Sequence, residues 1–392
     1  MSATTPNHPA QSSPQASGEP HALLSGGGSG GHVFPGLAIA EELARRGWQV
    51  SWAGSRRGIE SRLVSQRQIP FHDLPARPVV GQGVGGKLRA VATMARSAWS
   101  ARALVRRLRA RVVVGTGGYA SVPAVVGARL ARRPAYLLEP NADVGLANRW
   151  LSRCATEAAV AFDATRQQLA CPSRTTGIPI RSEFAQPAAW SAAPPWNLLV
   201  LGGSQGARQI NQLVPQALAA LPAELGEVHV LHQTGKDHLE ATRDDYLAAG
   251  HQPAEDATPA NGGVRFTASA FIDDMAGAMG RSHLVVSRAG AITLAEICAA
   301  ARPSLLLPLV LAGAHQAGNA ERLATEGAAR VVPADAAADD LGQLLADLLS
   351  DAAGLHAMAE AAGRLGRGDA AARIADRLEA IGGVAQPQGR AA

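Results

Sequence analysis

The segment HALLSGGGSGGHVFPGLAIAEELARRG (His21–Gly47) puts a short apolar strand, His21–Ser25, before six small residues and then an amphipathic run. Leu37, Ile39, Ala40 and Leu43 carry that run to Gly47. A strand that turns through glycines into a helix opens a βαβ unit, and the glycines let backbone N–H groups approach an anion at the helix start. Gly26–Gly31 is not followed by the Gly-Lys-Ser/Thr of a Walker loop and is not a clean GxGxxG. The next strand, Gln49–Ala53, ends on Gly54 and Ser55 without an acidic residue, which argues against a dinucleotide site. His32 stands in the first helical turn, where the helix dipole disfavours the charged imidazole. That suits a general base.

The same grammar restarts farther along. Leu198–Leu201 reads as a strand, Gly202–Ala207 (GGSQGA) as a glycine loop and Arg208–Leu221 as a helix. Val112–Gly115 and Ala135–Leu138 continue the first series; Val228–His232, Val264–Thr267, Leu284–Ser287 and Ser304–Leu307 continue the second. Between the two series, Gln186–Trp196 (QPAAWSAAPPW) holds Pro and Ala without periodicity, as a linker does. The expected organisation is a disordered tail at 1–20, a Rossmann-like domain at 21–182 and a linker at 183–197. A second Rossmann-like domain follows at 198–368, and a final helix within 369–384 packs on either domain. The fold class is α/β, two doubly wound parallel sheets facing one another across a cleft.

Composition agrees. A length of 392 residues suits two domains of about 150–200 residues. The chain is 47% apolar and only 4% aromatic, with 42 glycines, which favours glycine-punctuated α/β architecture over a β-sandwich. Cys154, Cys171 and Cys298 form no CxxC pair, so neither a disulfide scaffold nor a structural zinc site is expected. No run reaches the roughly 18 apolar residues of a spanning helix, and the first 20 residues lack the apolar core of a signal peptide. A cytosolic protein is expected.

Several polar groups fall at strand ends. Ser204 in the second glycine loop has a hydroxyl suited to a phosphate, and Gly115–Tyr119 (GTGGY) is a third such loop. Three loops at strand carboxyl ends in two domains converge on one cleft. Arg181 and Arg288 could neutralise a diphosphate, or be ordinary surface arginines. Ala291–Glu296 (AITLAE) opens a helix after Gly290; Glu296 could accept bonds from two vicinal ribose hydroxyls, or be a first-turn acid favouring the helix dipole. His315, Gln316 and Asn319 are neutral hydrogen-bonding groups suited to sugar hydroxyls. Glu139 and Asn141 do the same opposite, or cap the next helix. Asp273 and Asp274 begin a helix, Asp273–Met279, as caps. No HxxxH, HExxH, DxD or GxSxG arrangement stands in a loop, so neither a metal nor a cofactor is expected.

GGGSGGHVFPGLAIA (Gly26–Ala40), GTGGYAS (Gly115–Ser121), GLANRWL (Gly145–Leu151), GGSQGARQIN (Gly202–Asn211), FIDDMAGAM (Phe271–Met279), SRAGAITLAEI (Ser287–Ile297) and HQAGNA (His315–Ala320) together closely resemble the MurG family of bacterial transferases. The resemblance runs from about Ala22 to Ile381. It implies the GT-B fold, with the acceptor handled by the domain at 21–182 and the UDP-sugar by that at 198–368, and transfer of N-acetylglucosamine from UDP-N-acetylglucosamine to undecaprenyl-diphosphate-linked muramyl pentapeptide (lipid I to lipid II), without a metal. By position it implies that Ser29, Gly30, Gly31, Asn141, Arg181, Ser204, Ile272, Ala291, Ile292, Thr293, Leu294, Ala295, Glu296 and His315 or Gln316 bind the donor. The backbone of Ile272 would meet the uracil edge. His32 is the implied base, with Tyr119 nearby and Glu139 the other candidate. Where the family usually has His-Glu-Gln-Asn, this chain reads Leu138-Glu139-Pro140-Asn141. The alternatives are a related UDP-sugar transferase with another lipid or small-molecule acceptor, and a non-catalytic sugar-nucleotide sensor.

Charge points to a surface. Between Asp73 and Glu139 there are 12 Lys or Arg residues and no acid, against a net charge of +5 for the whole chain. Aromatic-basic interleaving of the RNA-binding kind is absent, so nucleic acid is not an expected partner. On the helix Gly86–Arg109, Leu88, Ala92, Ala95 and Trp99 share one stripe and Met94, Ala101, Val105 and Leu108 an opposite one. Docking on a sheet needs one face, so the second stripe is expected to be exposed, flanked by Arg89, Arg96, Arg102 and Arg106. Trp99 among arginines would then be an anchor on an anionic membrane surface, unless it packs under the loop Val79–Gly86. The expected place is the cytoplasmic face of the cell membrane, held peripherally.

Overall fold

The computed structural model describes residues 19–77, 83–184, 189–191, 194–203, 205–255, 263–309 and 315–384. Most of the tail expected at 1–20, part of the linker and residues 79–82 of the loop before the basic helix lie outside them. Fourteen strands, β1 (His21–Ser25), β2 (Gln49–Gly54), β3 (Phe71–Asp73), β4 (Val112–Gly115), β5 (Ala135–Glu139), β6 (Glu157–Val160), β7 (Ser173–Thr175), β8 (Trp196–Leu201), β9 (Glu227–Gln233), β10 (Gln252–Pro253), β11 (Gly263–Ser269), β12 (Leu284–Ser287), β13 (Ser304–Leu306) and β14 (Ala329–Val331), form two sheets. The helices are α1 (Gly30–Arg45), α2 (Ile59–Gln66), α3 (Val84–Arg107), α4 (Val122–Leu130), α5 (Leu146–Leu151), α6 (Arg208–Leu218), α7 (Leu239–Ala248), α8 (Met275–Arg281), α9 (Ala291–Ala299), α10 (Gln316–Thr325), α11 (Ala338–Ser350), α12 (Ala352–Leu365) and α13 (Ala370–Ile381).

The sheets run β3-β2-β1-β4-β5-β6-β7 and β10-β11-β9-β8-β12-β13-β14, with parallel pairing throughout. In each, strand order reverses beside the strand that feeds the glycine loop: β1 against β4, and β8 against β12. A crevice opens outside the carboxyl ends at such a point. The strand-end loops of both sheets lie there.

Burial on both faces explains the near-continuous apolar strands. Ala22 and Leu24 of β1 join the cluster under α1 and α13, whereas Leu23 faces the cluster under α3 and α4. That is the period of two of a strand. Each fully buried Leu or Val contributes about 1.5–3 kcal/mol, so the sheet interiors dominate the stability of both halves. Five strands are absent from the sequence reading: β3 (FHD), β7 (SRT), β10 (QP) and β14 (ARV) are sheet edges where no long apolar run is needed, and β6 (EAAV) lies inside the first sheet but is only four residues long and opens on an acid.

The final helix docks on the first half. Ile374, Ala375 and Leu378 enter the α1 cluster. Arg46 pairs with Asp376 at 2.6 Å and Glu379 at 3.1 Å, and Arg377 reaches Glu157 at 2.6 Å.

The basic helix inverts one expectation. Ala101, Leu104 and Val105 are buried, so the stripe expected to face out is the docked one. The cause is a close crossing with α4: a Cβ on Gly127 would come within 2.8 Å of the Arg102 nitrogen. Only small residues admit that approach. Ala92, Ala95 and Trp99 are the outward stripe, with Trp99 61% exposed.

Candidate active site

His32 occupies the third position of α1. Its ring is backed by the loop after β4: a Cβ on Gly117 would lie 2.6 Å from Nδ1, and one on Gly118 3.1 Å from Cδ2. Gly117 has φ +108°, a conformation other residues rarely adopt. The third glycine loop is therefore the seat of an imidazole rather than a phosphate cradle. Thr116 Oγ1 donates to the His32 carbonyl at 2.7 Å and fixes the turn below it. Nδ1 is buried, and the residue lines the cleft cavity. Burial holds the imidazole pKa below its ordinary 6.5, and the Glu139 carboxylate pulls the other way. The net direction favours the neutral ring that a base requires.

A cavity of about 890 Å³ opens over this ring. Ser29, Gly31, Tyr119, Glu139 and Asn141 line it from the first half; Gly290, Ala291, His315, Gln316 and Asn319 line it from the second. Its outer wall is apolar, with Val91, Met94, Leu146 and Trp150. Trp150 is 72% exposed, the Arg153 guanidinium lies 5.5 Å from its ring centroid, and Arg102 lies 5.3 Å from that of Trp99.

Glu139 is held on both oxygens. Oε1 accepts from the Asn141 backbone N–H and from Asn141 Nδ2, both at 3.1 Å; Oε2 accepts from the Gly145 N–H and from Asn148 Nδ2, both at 3.0 Å. A carboxylate has about four lone-pair sites, and all are taken. Glu139 thus organises the turn into α5 while also lining the cavity beside His32. Leu138, the departure beside it, points into the core under α1 and away from the cavity.

On the second half, Glu296 lies beyond the first turn of α9, so the dipole explanation falls. Its Oε1 accepts from Arg181 Nε at 3.1 Å and Nη2 at 2.9 Å, across the two halves. Burial raises its pKa while Arg181 opposes that. Arg181 therefore sits on a carboxylate rather than open to a diphosphate. Arg288 donates from Nη1 to the Leu307 carbonyl at 2.8 Å and is not among the cavity residues. The Ile272 amide, expected to meet a base, donates to Gln233 Oε1 at 3.0 Å, while Gln233 Nε2 donates to the Gly203 carbonyl at 2.9 Å. Ser204 lies outside the described residues. Asp274 caps α8 by accepting from the Gly277 N–H at 2.8 Å, one residue later than the helix start expected.

Asn319, expected to hold sugar hydroxyls, clasps the halves. Its Oδ1 accepts from the Ala142 N–H at 2.9 Å and its Nδ2 donates to Asn141 Oδ1 at 3.3 Å. Gln316 Oε1 accepts from the Leu309 N–H at 3.0 Å, and His315 caps α10 at the cavity wall. Two residues escaped the sequence reading, Gln233 and Glu60. The signal for Gln233 was its place as the polar last residue of β9; that for Glu60 was the pair of glycines, Gly54 and Gly58, just ahead of it. Among the described residues, no three His, Cys, Asp or Glu side chains gather as metal ligands.

The comparisons agree with this geometry. Residues 22–160 match the glycosyltransferase family 28 N-terminal domain and residues 197–378 its C-terminal domain. A relative from Pseudomonas fluorescens, 41% identical over 90% of this chain and 96% of its own length, is named UDP-N-acetylglucosamine–N-acetylmuramyl-(pentapeptide) pyrophosphoryl-undecaprenol N-acetylglucosamine transferase. One from Chromobacterium violaceum with the same name is 39% identical over 92% of this chain and 98% of its own. The crystal structure of MurG from Acinetobacter baumannii superposes with a TM-score of 0.75 at 30% identity, covering 92% of this chain and 99% of that one. With two parallel-sheet halves and a cleft between them in the GT-B arrangement, this chain belongs to glycosyltransferase family 28, among the MurG transferases.

Proposed function

We propose that this chain moves N-acetylglucosamine from UDP-N-acetylglucosamine to undecaprenyl-diphosphate-linked muramyl pentapeptide, lipid I to lipid II, with His32 as the base. The observation that carries the reading is one cavity in which a neutral imidazole from the first half faces the start of α9 from the second. The acceptor hydroxyl attacks the anomeric carbon from the face opposite the diphosphate. The carbon–oxygen bond to the β-phosphate breaks, UDP leaves with the electron pair, and Nε2 takes the hydroxyl proton. An α-linked donor gives a β-linkage. The amides of Ala291, Ile292 and Thr293 at the start of α9 stabilise the departing charge, with those of Gly30 and Gly31 across the cleft. Leu294, Ala295 and Glu296 continue that helix beside the ribose, and Ile272 offers the uracil its carbonyl. Ser29, Asn141, Ser204, His315 and Gln316 hold the remaining sugar and phosphate oxygens. Arg181 orients Glu296, and Tyr119 borders the acceptor path.

The direct test is incubation with UDP-N-acetylglucosamine and a short-chain lipid I analogue. A β-linked disaccharide product supports the assignment; donor binding without transfer to any acceptor would leave the sensor reading in its place. Because the described donor set offers no metal cluster, transfer is expected to survive excess EDTA. Activity lost to EDTA and restored by Mg²⁺ would contradict the amide-based account of the leaving group.

A polyprenyl acceptor puts the substrate at a bilayer. No helix among the described residues is long and apolar enough to cross one. Val91, Leu146 and Trp150 are exposed and line the cavity, and Trp99 is exposed on the same helix as Val91, with Arg102 and Arg153 beside the two tryptophan rings. Apolar insertion and attraction to anionic lipid act together at such a surface. We read the enzyme as peripheral, on the cytoplasmic face. Each basic side chain near an anionic surface contributes about 1 kcal/mol, so Trp99→Ala with Arg96→Glu and Arg102→Glu should weaken co-sedimentation with anionic vesicles by about tenfold or more. UDP affinity should be unchanged. Undiminished vesicle binding would move the anchor to Arg129, Arg132 and Arg133.

A further inference from the structure

Glu60 is an acid in the first turn of α2, a position where carboxylates ordinarily stand in water near the helix dipole. Here it turns inward and is 1% exposed. Its Oε2 accepts from the Gly28 N–H at 3.2 Å and its Oε1 from the Ser55 N–H at 3.1 Å. A buried carboxylate persists only where such bonds replace its hydration. Gly27 and Gly58 flank the group so closely that a Cβ on either would collide with the carboxylate, and a Cβ on Gly54 would lie 3.0 Å from Glu60 Cγ. The chain has removed three side chains around one acid.

The contacts continue to the imidazole. A Cβ on Gly118 would lie 2.5 Å from the Gly27 carbonyl oxygen, so the two glycine loops abut at that point. Gly117 and Gly118 in turn back the His32 ring. Trp52 Nε1 donates to the Gly26 carbonyl at 3.2 Å and ties down the residue before that turn. The Gly28 amide, which a phosphate would use in an open loop, is already satisfied from within.

We propose that Glu60 is a positioning residue: by pinning the Gly27–Gly28 turn against the Gly117–Gly118 loop, it holds the His32 ring in register with the cleft. The proposal rests on the reading of His32 as the base. It also gives the Gly27–Gly28 end of the first half's glycine loop a purpose other than nucleotide binding, which stays with Ser29, Gly30 and Gly31. The loop is clamped by an internal anion and serves as a wall for the imidazole.

A double-mutant cycle tests it on the full chain, with UDP-N-acetylglucosamine and a short-chain lipid I analogue. Glu60→Gln is nearly isosteric but presents an NH₂ to one of the two backbone donors. It should lower kcat by about tenfold with donor KM within about twofold, and in the His32→Ala background it should cost less than about twofold, the non-additivity expected of coupled residues. Gly117→Ala, which pushes on the ring directly and leaves Glu60 intact, should show the same split between kcat and KM. Glu60→Asp carries the cycle if the amide does not fold. A merely structural acid would lower activity by the same factor in both backgrounds, and that result, or a Glu60→Gln enzyme with wild-type kcat, overturns the proposal. Near wild-type transfer by His32→Ala alone would retire the base reading as well, so the two failures are told apart.

Discussion

His32→Ala lowers transfer by about 10²–10⁴-fold at saturating donor and acceptor, the range of a positioned general base, and leaves UDP affinity unchanged. The side chain touches the cavity from the first half, while the carboxylate and helix start read as donor-binding belong to the second. Substrate hydroxyls are poor nucleophiles until their proton has somewhere to go, and His32, with its Nδ1 buried, lines the cavity. Burial also fixes the pH dependence. With the pKa held below 6.5, protonation removes the base as pH falls, so kcat/KM should rise through the region below 6.5 and be flat by pH 7. His32→Ala should lose that limb. Near wild-type transfer by the variant would sink the assignment and move the role to Glu139, which would then have to give up one of its four hydrogen bonds to take the proton.

Much of the scaffold was legible because parallel strands buried on both faces write themselves as apolar runs, and VVVG and LLVL cannot be read otherwise. Glycine loops after β1 and β8 marked both switch points for the same reason: backbones approach closely there. Side-chain destinations were legible only in part. Helical periodicity separates the two faces of α3 but does not say which one docks; the close contact at Gly127 decides that, and it belongs to another helix. Glu139 and Glu60 are both acids near helix starts. The sequence does not tell that one accepts four bonds and the other turns inward among glycines: the first depends on how the nine residues after Glu139 turn, and the second on Gly28, 32 positions away. Arg181 and Glu296 were each singled out for the ligand, yet their meeting across 115 positions could be seen only in the folded chain.

Glu296→Ala should weaken UDP binding by about 1.5–3 kcal/mol, the range for a hydrogen bond to a charged group, or roughly 10- to 150-fold in Kd. Both Arg181 donors fall on Oε1, which leaves Oε2 able to accept from vicinal ribose hydroxyls. The pair also joins the two halves, so a loss of affinity alone would not separate ribose contact from a slackened cleft. Two comparisons do. Arg181→Ala breaks the same tie but keeps the carboxylate, so it should weaken UDP less than Glu296→Ala does. The wild-type chain should prefer UDP to 2′-deoxy-UDP, and Glu296→Ala should abolish that preference because the group reading the hydroxyl is gone. Calorimetry with the two nucleotides and no acceptor measures both. Equal losses from Arg181→Ala and Glu296→Ala, with the ribose preference intact in each, would reduce Glu296 to an interdomain tie and leave the ribose to another residue of the cleft.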